Sequence, residues 1–433
     1  MTFVLRNHYE QERRIAITGL GIVSPLGRTT GRFWECLTSP PATVETAERS
    51  PGTADFEGRI EDFDELPPAI KKTIRKSLKL MNRETQLGVA AGQQALLNSR
   101  ILENYEPDRM GICFGAGNVS VMPEDFQSAV EACLDEEGDF ELDRWGPNGI
   151  SEIAPLWLLK CLPNMPTCHL AIINDLRGPN NTITQRDVSF ALAIAEACRT
   201  IRSEDADAML VGATGTTLNS INLVHARLEN EVSDHFDSAD SESHDECNGM
   251  PFPSEGAGAI VLEDLHAARQ RGATIYGEVL GAASASCLGH DGASAGGHAL
   301  AGAMRQALRR AGLLPSDIGH IHAHARGSAI TRAAESQAIN DVFGSTGLSK
   351  HVVTTNGRLG NAGPGTGAME MVASLLVLEH GCVFPSDAGD HLDGHRLNRS
   401  VNHGGGAVWD SFLSLSMVGR GLGSCIAVGT SDE

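Results

Sequence analysis

The sequence predicts an α/β protein in which strands and helices alternate along the whole chain. The chain has 433 residues, of which 41% are hydrophobic, and 48 glycines, which suits a large core with many tight turns. Short apolar and β-branched runs that end in glycine alternate with longer helical patterns in both halves. Such alternation is typical of sheets that helices cover on both faces.

The elements follow from this pattern in chain order. In the first half, strands are predicted at 14–27, 108–117, 182–184, 207–213 and 255–263, and helices at 78–97 and from residue 188 onward. In the second half, helices are predicted at 299–312, 331–342 and 369–378, and strands at 318–324, 352–355 and the C-terminal end. Residues 40–66, 121–150 and 229–248 are polar or acidic and are predicted to lie at the surface.

The glycines at the end of the first strand raise the possibility of a dinucleotide-binding turn. Gly19 and Gly21 lack the third glycine and the acidic partner of that motif, so the sequence does not support it. No cofactor is expected.

Charge and cysteine content exclude several classes of function. The net charge of −21 argues against nucleic acid or an anionic membrane as the main partner, although an acidic carrier protein could dock on a local basic patch. Ten cysteines without CxxC pairs fit reduced thiols better than a disulfide framework or a zinc site. No run has the length and apolarity of a signal peptide or membrane span, so we expect a soluble, cytoplasmic protein.

The prediction is organised around residues 176–201, LRGPNNTITQRDVSFALAIAEACRTI. Turn formers at 177–180 lead into an alternating, β-branched strand at 182–184. Residues from Val188 onward are apolar almost all round, which predicts a buried helix. Asp187 therefore lies at the N-terminus of that helix, where peptide dipoles favour negative charge. Such a strand-to-helix turn is where α/β enzymes place a nucleophile.

The segment 178–184, GPNNTIT, resembles the segment that precedes the active-site cysteine of β-ketoacyl-acyl-carrier-protein synthases. Similarity to this family extends from about Arg14 to Val428. Counted without gaps, the position of the cysteine is Asp187. The next cysteine, Cys198, lies about three helical turns further along and cannot replace the nucleophile. The resemblance thus implies the scaffold of a condensing enzyme that lacks its nucleophile.

The resemblance also implies a fold and a first catalytic histidine. The expected fold is thiolase-like, with two similar halves, 14–270 and 271–430, stacked as five layers αβαβα. In the family, a cysteine accepts the acyl group and two histidines help to decarboxylate a malonyl unit. The first histidine corresponds to His324, although Arg326 departs from the threonine usual in the loop that follows. His322 points to the same face and is interpreted as a core histidine.

The second catalytic histidine of the family corresponds to Asn361 when the alignment is anchored on Glu370. By the same count, the lysine of the family corresponds to Asn356, which we place in the substrate site. An asparagine amide can donate a hydrogen bond to an oxyanion, but it cannot transfer a proton. Three of four catalytic positions are therefore altered.

A glycine-rich loop near the C-terminus resembles the oxyanion loop of the family more loosely. It consists of His403, Gly404, Gly405 and Gly406, followed by an alanine, and it lacks the phenylalanines of the family. Two interpretations remain open: these residues bind substrate, or they form a tight turn with a surface histidine.

Asp187 has two further interpretations. Aspartate is a favoured N-cap residue that stabilises a helix by about 1 kcal/mol, and this role needs no chemistry. A divalent metal held by Asp187, His324, His322 and His403 is conceivable by ligand type. No local spacing supports such a site, so no metal is predicted.

Two functions follow from these residues. The first is a non-condensing partner that resembles chain-length factors and binds acyl carrier protein or an acyl-CoA thioester. It would form a homodimer or a heterodimer with an active ketosynthase in fatty-acid or polyketide biosynthesis. The second is an enzyme that hydrolyses, hydrates or decarboxylates acyl thioesters, with Asp187 or His324 as the general base.

Overall fold

The computed structural model describes ten segments of the chain. They are residues 13–39, 51–63, 66–117, 122–233, 250–289, 292–324, 329–344, 351–385, 410–418 and 421–431.

The strands of the described residues form a single ten-stranded sheet. They are β1 (Ile15–Val23), β2 (Met110–Gly115), β3 (Asn180–Ile183), β4 (Ala208–Thr216), β5 (Glu255–Asp264), β6 (Gly277–Ser286), β7 (His320–His322), β8 (His351–Val353), β9 (Ser411–Val418) and β10 (Leu422–Gly429). The order across the sheet is β3-β2-β4-β5-β1-β6-β10-β9-β7-β8. If β6 to β10 are matched with β1 to β5, the second half repeats the order of the first in reverse. The two halves meet at a short antiparallel pairing of β1 with β6.

Helices cover both faces of this sheet. They are α1 (Thr30–Thr38), α2 (Pro68–Ser77), α3 (Arg83–Ser99), α4 (Gln127–Glu131), α5 (Ile150–Glu152), α6 (Leu158–Cys161), α7 (Met165–Asn174), α8 (Ser189–Arg202), α9 (Ser220–Leu228), α10 (Leu265–Gln270), α11 (Gly292–Ala311), α12 (Ala329–Phe343), α13 (Asn356–Leu359) and α14 (Pro364–His380). None of these helices has the length and apolarity to cross a bilayer.

Three hydrophobic clusters define the layers. Helices α8 and α14 lie in the largest cluster together with side chains from strands of both halves, so they form the middle layer between the two halves of the sheet. Helices α3 and α7 pack on the outer face of the first half, and α11 and α12 pack on the outer face of the second half. The predicted α/β fold with two similar halves and five layers is therefore confirmed.

The glycines of β1 serve helix packing. A Cβ atom on Gly21 would lie 2.0 Å from the carbonyl oxygen of Ala91, and one on Gly19 would lie 2.4 Å from that of Ala95. Both carbonyls belong to α3, so the two glycines allow this helix to approach the strand closely.

Several short helices and strand β6 were not predicted. Strand β6 was missed because its alternation of glycine, alanine and serine is a weak strand signal. The apolar run from Met165 to Thr184 resembles the family's subunit-pairing strand, but only β3 within it is strand, and its first ten residues are helix α7. Pro166 fits the first helical turn, and Leu170 packs where Gly92 of α3 leaves room.

Candidate functional site

The turn between β3 and α8 places Asp187 inside the protein. Residues Arg186–Val188 form a 3₁₀ turn in which Arg186 adopts a left-handed conformation with φ +54°. Asp187 is 4% exposed. Within this described segment, α8 begins after Val188, and no side chain caps its N-terminus. The interpretation of Asp187 as the N-cap of this helix is therefore wrong, because the 3₁₀ turn moves the helix start beyond it.

His324 faces Asp187 from the second half of the molecule. It follows the last residue of β7 by two positions and is 3% exposed. Its Nε2 atom lies 3.7 Å from Oδ2 of Asp187. Its backbone N–H donates to Oε1 of Glu335 on α12 at 2.7 Å. The structure thus brings together two residues that are 137 positions apart and that the sequence predicted for one site.

Asn356 and Asn361 both lie in the connection between β8 and α14. Asn356 donates from Nδ2 to the carbonyl oxygen of His324 at 3.2 Å. Asn361 is fully buried; its Nδ2 donates to the carbonyl oxygen of Glu231 at 3.2 Å, and its Oδ1 accepts from the backbone N–H of Gly363 at 2.8 Å. Both amides therefore bind the backbone of the site.

Arg186, Glu229 and Glu231 form a charged group beside Asp187 that the sequence prediction missed. Nη2 of Arg186 lies 2.7 Å from Oε1 of Glu231, and Nη1 lies 3.6 Å from Oε1 of Glu229. Burial, followed by the nearby Asp187 carboxylate, raises the pKa of Glu231 to about 7. The sequence placed both glutamates in an acidic surface segment. A possible signal was their spacing of two residues directly after a helix.

Two further histidines lie in the core of the second half. His320 and His322 are both fully buried, and Ser374 of α14 bridges them, with Oγ 3.1 Å from Nε2 of His320 and 2.8 Å from Nδ1 of His322. Burial, followed by the nearby His351, lowers the pKa of His320 to about 3. This geometry supports the interpretation of His322 as a core histidine.

Several predicted residues fall outside the described segments. These are Arg326 and the loop of His403, Gly404, Gly405 and Gly406. Among the residues that the structure does describe, no three His, Cys, Asp or Glu side chains are grouped so that they could hold a metal ion.

Two cysteines on the elements β2 and α8 have surroundings that disfavour the thiolate. Cys113 lies in β2 and Cys198 in α8, and both are buried. Burial raises the pKa of each thiol to about 12, so neither forms the reactive thiolate at neutral pH.

Comparisons with known proteins agree with this architecture. Residues 12–268 match the family model described as "Beta-ketoacyl synthase, N-terminal domain", and residues 276–388 match "Beta-ketoacyl synthase, C-terminal domain". The chain is 27% identical over 402 residues to the mitochondrial 3-oxoacyl-[acyl-carrier-protein] synthase of Arabidopsis thaliana, covering 86% of this chain and 83% of that protein.

Two solved structures share the fold. One is a type II PKS acyl-carrier protein in complex with its ketosynthase, and the other is the ishigamide ketosynthase/chain length factor. Each matches with a TM-score of 0.72 and 21% identity, covering 97% of this chain and 100% of the other.

Proposed function

Because the chain belongs to the beta-ketoacyl synthase family, we propose that it is a non-condensing, ketosynthase-like protein of fatty-acid or polyketide biosynthesis. It acts as a chain-length-factor-like partner that binds acyl groups beside an active ketosynthase. The observation that carries this proposal is the carboxylate of Asp187, which faces His324 at 3.7 Å and which the gap-free count assigns to the position of the family's nucleophile.

A carboxylate at this position is unsuited to acyl transfer by the family's route. A thiolate accepts an acyl group as a thioester, whereas a carboxylate would form an anhydride, which is less stable than the substrate. Its charge also opposes the approach of a second, negatively charged malonyl group.

The two asparagines support the same conclusion. Nδ2 and Oδ1 of Asn361 both bind backbone groups, so this amide has a structural role at the position that the resemblance assigns to the family's second histidine. Asn356 likewise holds the backbone of His324. An amide in either place cannot supply the proton transfer that decarboxylation and condensation use.

A basic helix supports an acidic carrier as partner. The chain has a net charge of −21, but α2 and the 3₁₀ turn Leu78–Leu80 that follows it carry several positive charges. Lys72, Arg75, Lys76 and Lys79 are exposed there. A surface of this kind attracts an acidic carrier protein and gives a binding rate that falls with salt.

The edge of the sheet supports a dimer, either with a second copy or with a ketosynthase. Strand β3 is the outermost strand of the first half, and its first two residues are exposed. Ile172 of the neighbouring α7 is 75% exposed. An edge strand beside apolar side chains is a surface that proteins cover by pairing.

The proposed setting is the cytoplasm, which the nine free cysteines of the described residues support.

The test asks whether a ketosynthase with an intact active-site cysteine is encoded beside this chain, and then reconstitutes the two proteins together. The expected result is a stable complex in which product length or amount depends on both proteins. Asp187→Asn should retain this effect, and radiolabelled acyl thioester should label no cysteine of this chain. Absence of a complex, together with unchanged product, would overturn the proposal.

A second candidate function rests on the Asp187–His324 pair. A carboxylate beside a neutral imidazole can orient the ring and stabilise the proton that the ring accepts, so the pair could act as a general base on water that attacks a thioester. Purified protein should then release free thiol from an acyl thioester without any partner. Asp187→Asn should lower that rate about a hundredfold while leaving binding intact. The two functions therefore give opposite results for the same substitution.

A further inference from the structure

Glu231 contacts one altered catalytic position, Asn361, and the residue directly before another, Asp187. Its carboxylate binds Arg186, the residue directly before Asp187, at 2.7 Å. Its carbonyl oxygen accepts from Nδ2 of Asn361 at 3.2 Å. Glu231, which follows α9, thus links the turn between β3 and α8 to the connection between β8 and α14.

The conformation of Arg186 makes this contact consequential. A residue with a side chain rarely adopts φ +54°, because its Cβ crowds the backbone, and such a conformation persists where surrounding contacts hold it. The ion pair with Glu231 is such a contact. Since Arg186 precedes Asp187, its backbone angles set the direction in which the carboxylate of Asp187 points.

We propose that Glu231 is a positioning residue that, through Arg186, holds residue 187 against His324. The inference rests on the assignment of Asp187 and His324 to the proposed site. It does not depend on which partner the protein binds. The described hydrogen bonds of Glu231 go to Arg186 and Asn361, so the role proposed for it is geometric.

Glu229 provides a matched control. It faces the same guanidinium, and its side chain is 30% exposed, against 21% for Glu231. Its distance to Nη1 of Arg186 is longer, 3.6 Å. Among the described contacts, the short hydrogen bond from Nη2 of Arg186 goes to the side chain of Glu231 and not to that of Glu229. Charge loss at Glu229 therefore removes a negative charge near the guanidinium without breaking that hydrogen bond.

The experiment measures where residue 187 lies by the reactivity of a thiol placed there. In Asp187→Cys, iodoacetamide labelling of the peptide that contains residue 187 is followed by mass spectrometry, with and without His324→Asn. The ratio of the two rates is the acceleration due to His324, since an imidazole in contact activates a thiol. The ratio is then measured again with Glu231→Gln, with Glu229→Gln and with Arg186→Gly. Circular dichroism checks that each variant is folded.

The proposal expects Glu231→Gln to lower this ratio about tenfold, the size of coupling common between groups in one network, and Glu229→Gln to leave it unchanged. Arg186→Gly should lower it too, because glycine adopts the same φ without a partner to hold it. An unchanged ratio in folded Glu231→Gln would overturn the proposal, and so would an equal loss with Glu229→Gln. No carrier or partner is present, so failure here is distinct from failure of the proposed function.

Discussion

The two strand-to-helix connections of the site occupy equivalent places in the two halves but are held by different forces. Between β3 and α8, a short 3₁₀ turn is held by the ion pair of Arg186 with Glu231. Between β8 and α14, a longer connection contains α13 and two glycines of positive φ, Gly360 and Gly363. Neutral amides of Asn356 and Asn361 hold that connection.

This difference separates the two connections by the kind of contact that holds each of them. In the first connection, an ion pair holds the turn, and the strength of this ion pair depends on the protonation of Glu231. In the second, amides that do not titrate satisfy backbone groups in a buried place. The first connection should therefore respond to pH, and the second should respond to loss of hydrogen bonds.

The largest effect is expected in the second connection, for Asn361→Leu. The change removes the buried amide that binds the partly buried carbonyl of Glu231 and N–H of Gly363. Each unsatisfied group costs about 1–3 kcal/mol, so the free energy of unfolding should fall by about 3 kcal/mol in urea titrations.

Asn104→Leu is the matched control for that measurement. The amide of Asn104 also donates to a backbone carbonyl, that of Arg100, at 2.8 Å, but it is exposed. Water can replace it there, so the change should be small. An equal loss in both variants would show that burial of the Asn361 amide is not the cause.

The next effect concerns the glycines of the same connection. Gly360 has φ +65° and ψ −160°, and a Cβ atom there would lie 2.6 Å from ring carbons of Phe252. Gly360→Ala should lower the free energy of unfolding by about 2 kcal/mol. Gly363→Ala, with φ +58° but no atom within 4 Å of the added Cβ, isolates the backbone strain and should cost less. A larger loss at Gly363 would contradict this account.

The sequence could predict one part of this comparison and not the other. Asp187 and His324 were predicted for one site through the resemblance to the ketosynthase family, which local motifs around each residue carry. The partnership of Arg186 with Glu231 spans 45 positions. It depends on a left-handed backbone at Arg186, for which no local signal exists in a residue other than glycine. The prediction of Asp187 as the N-cap was wrong for a similar reason: α8 starts at Ser189, and a 3₁₀ turn and a cap look alike in sequence.

A smaller effect is expected from pH in the first connection. Asp187, Arg186 and Glu229 surround Glu231, and burial raises the pKa of Glu231 to about 7, above that of an unfolded glutamate. The fold thus favours the protonated form. The contribution of this preference to the free energy of unfolding is complete below the pKa of an unfolded glutamate and is lost as the pH rises through about 7.

Glu231→Gln removes this titration without a change of shape. The free energy of unfolding of the wild type relative to Glu231→Gln should fall by about 1 kcal/mol between about pH 6 and about pH 8. For Asn361→Leu, the difference from the wild type should be the same at both pH values, because an amide does not titrate. A pH-independent difference for Glu231→Gln would contradict the charged character of the first connection.

The smallest effect on stability is expected for Arg186→Gly. Glycine relieves the left-handed strain, worth about 1 kcal/mol, while loss of a partly exposed ion pair costs about as much. The free energy of unfolding should stay within about 0.5 kcal/mol of the wild type. The same variant should lose the acceleration by His324 of a thiol at position 187. Stability and positioning would then separate in one substitution, because the ion pair stabilises one direction of the turn and adds little to the fold. A loss of several kcal/mol would instead mean that Arg186 supports the fold itself, and that the two connections differ less than their contacts indicate.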